Sequence, residues 1–196
     1  MHDADRTLRF LFEAGHLKRV RRSGWLRVGV PRPESVADHV YRTAVIGYLL
    51  ATLDGCDPER TVTLCVFHDL AEIRISDLNH IAKRYLKPKQ SLDRQVIEDQ
   101  TVRLPKRLKE TILALIAGET EKIGSGREAL VARDADLLEC ALQAVEYIET
   151  DHSAAEEIFY SCVEVLRSSA AKQLGMALRE RLEAGEIGEL LRWWEP

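Results

Sequence analysis

The 196-residue chain has no basic excess, no long apolar run, no paired cysteines and no stretch of alternating polar and apolar residues. Each absence removes a class of protein. Lys and Arg number 28 against 32 Asp and Glu, for a net charge of −4. With a pI of about 5.9 there is no global positive field to recruit a nucleic-acid polymer or an anionic membrane. No apolar stretch approaches the roughly 20 residues that span a bilayer, and the amino-terminal stretch lacks the pattern of a secretion signal. Cys56, Cys65, Cys140 and Cys162 are widely spaced, which reads as buried free thiols in a reducing compartment rather than disulfides or a zinc site. There is no strand or hairpin signal, internal repeat, low-complexity tract or flexible linker. These exclusions leave a soluble cytoplasmic chain, long enough to bury a sizeable core as one domain.

What is present is helical periodicity. Residues 4–20 place Leu8, Leu11, Phe12 and Leu17 at helical spacing, as an amphipathic helix. Basic residues 18–22 and Trp25 follow in a stretch punctuated by Gly24, Gly29, Pro31 and Pro33, read as a loop up to Glu34. Such a loop is either a solvated basic surface or an arginine for phosphate beside an aromatic platform, since guanidinium meets phosphate in a fork geometry. Ser35 is the expected N-cap of a helix running to about Leu53, with His39 near its start. Asp57, Pro58 and Glu59 spell a second start signal, before an apolar helix over 62–70. Residues 80–89 read as a basic, irregular piece. Helices are expected over 91–102, 105–117, 127–149 and 154–174, with a polar connector at 118–126. Trp193 and Trp194 in the tail read as packing or a subunit contact. The fold class is all-α.

One stretch breaks the pattern. His68 and Asp69 sit side by side at the end of the apolar helix, with Glu72 one turn on and Asp77 beyond. On a helix, Glu72 lies at i+4 from His68 and i+3 from Asp69, so the three can face a common point. Burying an imidazole and two carboxylates together is costly unless a cation or hydrogen bonds compensate them. Alone, the pair reads first as the polar face of a surface helix, and only its company elsewhere in the chain changes that. Asp134 and Asp136 flank an alanine and must point to different faces, so one can point inward. His39, His68, Asp69 and Asp136 thus offer two imidazoles and two carboxylates from three helices. That donor set suits Mn²⁺, Co²⁺, Fe²⁺ or Zn²⁺ better than copper or an iron–sulfur cluster.

The segments LKRVRRSGW, PESVADHVYR, HDLAE with Asp77, and RDADLLECALQAVEYIE occur in this order from Leu17 to about Glu149. They resemble the HD-domain phosphohydrolases, whose signature is H…HD…D, and most closely the 5′-deoxynucleotidase-like branch. The resemblance implies a single HD helical bundle over residues 1–196. Its core would span about 17–150, and helices over 154–196 would pack on it or on a partner subunit. It implies His39, His68, Asp69 and Asp136 as metal ligands, Glu72 as general acid/base, and Asp134 as structural. Arg22 and Trp25 would be phosphate and sugar contacts, Asp77 a sugar-contacting carboxylate, and Glu119 a further acidic substrate contact in a connector one residue out of step. Many relatives have Gly where this chain has Ser76, a difference expected to alter pocket width. His80 is the only histidine between Asp69 and Asp136, which favours one divalent ion (Mn, Co, Fe or Zn rather than Mg) over the dinuclear branches. The expected reaction is hydrolysis of a 5′-deoxyribonucleoside monophosphate to nucleoside and phosphate. The alternatives are another small phosphate ester and a non-catalytic helical binding module. A homodimer is expected, with no nucleic-acid or membrane partner.

Overall fold

The computed structural model describes residues 2–85, 89–120 and 126–192, with backbone alone for 89–91 and 116–120. Among the described residues every regular element is a helix, and the only β-type pairing is an isolated antiparallel bridge between Arg21 and Ser35. No helix among them is long and apolar enough to cross a membrane.

Helix α1 (Asp3–Ala14) is followed by a 3-10 stretch, Gly15–Arg19, and by the short α2 (Ser23–Arg27). The long amphipathic helix expected over 4–20 is therefore two pieces. Leu8, Leu11 and Phe12 are exposed, while Leu17 is buried and Phe10 turns toward the core. Helix α3 (Val36–Asp54) starts where the sequence says: Ser35 Oγ accepts the Asp38 N–H, and Asp38 accepts the Ser35 N–H in return. Gly55, at φ 66°, closes its C-terminus in the left-handed conformation. Helix α4 (Pro58–Phe67) has Asp57 as its cap, accepting from the Arg60 N–H at 3.1 Å. The chain then turns through His68–Ala71 into the single turn α5 (Glu72–Ile75).

Residues 80–85, expected to be irregular, form α6 (His80–Tyr85), because Asn79 Oδ1 accepts the N–H groups of both Ile81 and Ala82. Helices α7 (Lys89–Thr101) and α8 (Lys106–Thr120) pack on each other and, through Ile97, Ile112 and Leu104 of their connector, on Leu70 and Ala71. The longest element, α9 (Arg127–Ile148), is the central post. Its inner face is rich in alanine: Ala135, Ala141 and Ala144 are fully buried, and α3, α4 and α10 (Glu156–Val163) crowd against it.

One long helix was expected over 154–174. The structure instead has α10, a turn at 164–168, then α11 (Ser169–Ala184) and the short α12 (Ile187–Leu191). No proline or glycine marks that break. It is made by Asp134 of α9, fully buried, whose Oδ2 accepts the N–H groups of Arg167 and Ser168. Asp134 therefore has the structural role expected of it. Trp193 and Trp194 lie outside the described residues, as does the Glu119 side chain.

Candidate functional site

His39 is the hub. Helix α3 carries it in its first turn, fully buried, with Nε2 facing the end of α4 and the middle of α9. From Nε2, Asp136 Oδ1 is 3.1 Å away, His68 Nε2 3.4 Å and Asp69 Oδ2 3.8 Å. His68 Nδ1 donates to the Cys65 carbonyl at 2.6 Å, and since a carbonyl only accepts, this turns Nε2 toward the cluster. The structure thus brings together His39, His68, Asp69 and Asp136 from three separate elements.

The donors fit a cation. Asp69 Oδ2 is buried with no aligned hydrogen bond, although His68 Nε2 lies 3.1 Å and Arg22 Nη1 3.6 Å from it. The facing nitrogens of both histidines and an Asp69 oxygen all lie within 4.8 Å of one another. In the ion-free protein this crowding is met by protons. Burial pushes the His39 pKa down, as does Arg22, but its bonds to Asp136 and Glu139 outweigh both and hold it at about 9. Burial likewise opposes the His68 charge, yet Asp69 and Asp136 hold that pKa at about 10. Asp69 and Asp136 stay well below the usual carboxylate range: burial works the other way, but the histidines and Arg22 prevail.

Arg22 projects from the stretch before α2. The Arg22 N–H donates to the Glu34 carbonyl and the Val36 N–H to the Val20 carbonyl, which staples this stretch to the start of α3. Its guanidinium donates from Nη2 to Cys140 Sγ at 2.9 Å. Burial works against its charge, but Cys140, Asp69, Asp136 and Asp77 raise its pKa well above the usual arginine value. Trp25 is as much core as wall. Only 2% exposed, it packs edge-on to Tyr147 and donates from Nε1 to Glu34 at 3.0 Å. Burial and the Glu139 charge push Glu34 up to about 7 despite that bond.

A cavity of about 1090 Å³ opens in front of the cluster. Arg22, Trp25, His68, Asp69, Asp77 and Asp136 all line it. Its size is that of a site for a small organic ligand. One oxygen of Asp77 accepts the Ser23 N–H at 2.5 Å. Glu72 is buried at the start of α5, with Oε2 unpartnered. Burial, then the charges of Asp69 and Asp77, raise it to about 8. Ser76, between them, has φ 62° and ψ 167°, a region that glycine alone enters without strain. Glycine at this position would meet that backbone demand without strain. His80 pairs with Arg27 on the exposed rim, 3.1 Å apart.

Three residues escaped the sequence reading. Cys140 lies at i+4 from Asp136 and touches Arg22. Glu139 and Arg42 flank His39, with Glu139 Oε2 on its Nδ1 and Arg42 on the other carboxylate oxygen. The i+3 and i+4 spacings from Asp136 and His39 on their helices were the available signal.

An all-helical fold around a His/Asp cluster is the setting for a metal centre, and the comparisons with known proteins make the class a metal-dependent phosphohydrolase. A family model described as "HD domain" matches residues 14–175. The 5′-deoxynucleotidase HDDC2 of Homo sapiens is 34% identical over 151 residues, covering 77% of this chain and 72% of that one. The protein of the same name from Dictyostelium discoideum is 33% identical over 158 residues, 77% of this chain and 82% of its own. Among solved structures, a conserved hypothetical protein from Pyrococcus furiosus superposes with a TM-score of 0.73 at 29% identity, over 88% of this chain and 99% of that one. The chain belongs to the HD domain family, in the branch of the HDDC2-type 5′-deoxynucleotidases.

Proposed function

We propose that this chain hydrolyses 5′-deoxyribonucleoside monophosphates to deoxynucleoside and phosphate, with one divalent ion held by His39, His68, Asp69 and Asp136. The observation that carries the reading is the convergence of His68, Asp69 and Asp136 on His39 Nε2, with Arg22, His68, Asp69 and Asp136 in the wall of a ligand-sized cavity. The names of the relatives support the substrate class. Mn²⁺, Co²⁺, Fe²⁺ or Zn²⁺ suits the mixed nitrogen and oxygen donors.

When bound, such an ion polarises a phosphoryl oxygen and makes water a nucleophile near neutral pH. The chain supplies the rest. Arg22, whose charge burial has not removed, balances the phosphate and the charge that develops on it. Glu72, raised to about 8, carries a proton at neutral pH and can deliver it to the departing sugar oxygen. Asp77 and Trp25, both lining the cavity, set the sugar, and Glu119 is a further substrate contact.

The cavity also extends along α9 to Arg133 and Arg167, which leaves room for a larger phosphate ester. The test is a panel of dAMP, dGMP, dTMP, their ribo counterparts and larger phosphomonoesters, read as phosphate released by metal-reloaded protein. Preference for the deoxy monophosphates is expected. Release from a larger ester alone would favour the second reading, and folded protein that binds an ion yet releases nothing would point to a non-catalytic role.

The chain works as a homodimer in the cytoplasm. Tyr41, Val45, Tyr48, Leu49 and Leu53 form an exposed apolar stripe along α3, which supports self-association, and none of the four cysteines is in a disulfide, as suits a reducing compartment. Sedimentation of the wild type should give twice the chain mass, and Tyr48→Glu should reduce it to one.

A further inference from the structure

We infer that Glu139, with its charge balanced by Arg42, is the positioning residue that fixes the ring orientation and tautomer of His39. The inference rests on the reading of His39 as a metal ligand. The imidazole is fully buried, with its two nitrogens facing different partners. Nε2 looks into the cluster, and Nδ1 meets Glu139 Oε2. A carboxylate oxygen accepts, so in the neutral ring that a cation would bind, Nδ1 carries the proton and Nε2 the lone pair. The two ring nitrogens diverge, so a group bonded at Nδ1 does not reach an ion bonded at Nε2. Glu139 therefore acts through His39 and is not a further ligand.

His68 is set in the same sense by a different group, the Cys65 carbonyl on Nδ1. A backbone carbonyl is available there because the chain turns at the end of α4. His39 lies inside the first turn of α3 and faces α9, so a side chain must supply the acceptor.

Holding a carboxylate at zero exposure demands compensation. Arg42, one turn after His39, supplies it: Nε donates to Glu139 Oε1 at 3.0 Å, and Nη2 lies 2.9 Å from the same oxygen. The rest of the guanidinium is held by Gln143 at 2.9 Å and by Glu146. Each Glu139 oxygen thus has its own task, one on the ring and one on Arg42. Glu34, the other carboxyl on this side of the ring, is engaged by the Trp25 N–H.

The test compares wild type, Glu139→Ala and Glu139→Gln as metal-stripped proteins titrated with Co²⁺. The exchangeable imidazole N–H resonances of the Co²⁺-loaded forms are then recorded by NMR. Outer-shell partners of this kind change metal affinity by about 10–100-fold, and that loss is expected for Glu139→Ala. The His39 N–H resonance should exchange slowly with water in wild type and vanish in the alanine variant. Glutamine keeps an oxygen acceptor without the charge, so it should keep the resonance and lose less affinity. That partial rescue is an outcome a merely structural bridge between α3 and α9 would not produce. Wild-type affinity and an unchanged resonance in folded Glu139→Ala would overturn the inference. If the alanine variant does not fold, Glu139→Gln decides: reduced affinity with the resonance kept supports the inference, and wild-type affinity overturns it. Wild-type protein that bound no Co²⁺ would overturn the ligand reading itself.

Discussion

Replacing Gly47 with alanine would place a methyl group where α3, α4 and α9 converge. A Cβ there would lie 2.6 Å from Cys65 Sγ, 3.4 Å from Thr61 Cγ2 and 3.7 Å from Ala135 Cβ. The first distance is far inside van der Waals contact, and Cys65 is only 1% exposed, so its sulfur has no solvent-filled space to swing into. Overpacking of this kind costs about 1–3 kcal/mol. Alanine returns about 1 kcal/mol through its better helix propensity. The net expectation is a loss of about 1 kcal/mol, or about 2–4 °C in Tm for a domain of this size. Because the Cys65 carbonyl orients His68, displacing α4 should also weaken metal binding. Cys65→Ala removes the obstructing atom. In that background Gly47→Ala should turn neutral or stabilising, by up to about 1 kcal/mol, since only the propensity gain remains. Urea denaturation of the four proteins in the cycle reads this directly. An equal loss in both backgrounds, or a gain in the wild-type background, would refute the close-approach reasoning.

Ser76→Gly should raise stability by about 1 kcal/mol, seen as a higher Tm, by relieving the strained backbone before Asp77; an unchanged or lower Tm would argue that Ser76 is unstrained. Glu72→Ala should abolish turnover with metal content nearly intact, and loss of the metal would make Glu72 scaffold instead. In wild type, turnover should fall as pH rises through about 8, because Glu72 is then no longer the protonated acid; a rate that rose through that pH would reverse its assignment. Since His39 and His68 hold protons at neutral pH without an ion, metal binding at pH 7 should release about two protons and strengthen with pH up to about 10. Calorimetry in two buffers of different ionisation enthalpy counts them, and zero release would contradict the ligand set.

Local signals carried most of the fold into the sequence. Ser35 and Asp57 cap where their side chains can reach the third residue onward, so α3 and α4 begin as expected. The break before α11 was not legible, because Asp134, more than 30 residues away in sequence, makes it from another helix. Helix α1 misled for a related reason: its spacing is amphipathic, yet Leu8, Leu11 and Phe12 face outward here. In the site, the grouping of the H…HD…D residues was legible through the family signature they match. Cys140, Glu139 and Arg42 were not, since a cysteine, a glutamate and an arginine on helices have ordinary surface and core roles. Trp25 was legible as an aromatic beside Arg22, but its burial against Tyr147 depends on α9.

The most direct test is a titration of metal-stripped protein with Co²⁺, following ion bound and phosphate released from dAMP in the same samples. Turnover should rise in proportion to occupancy and saturate at one ion per chain, with both signals lost in His39→Ala and Asp136→Ala. Turnover in stripped protein, saturation only at a second ion, or full binding by those two variants would contradict a single His39-centred ion as the heart of the site.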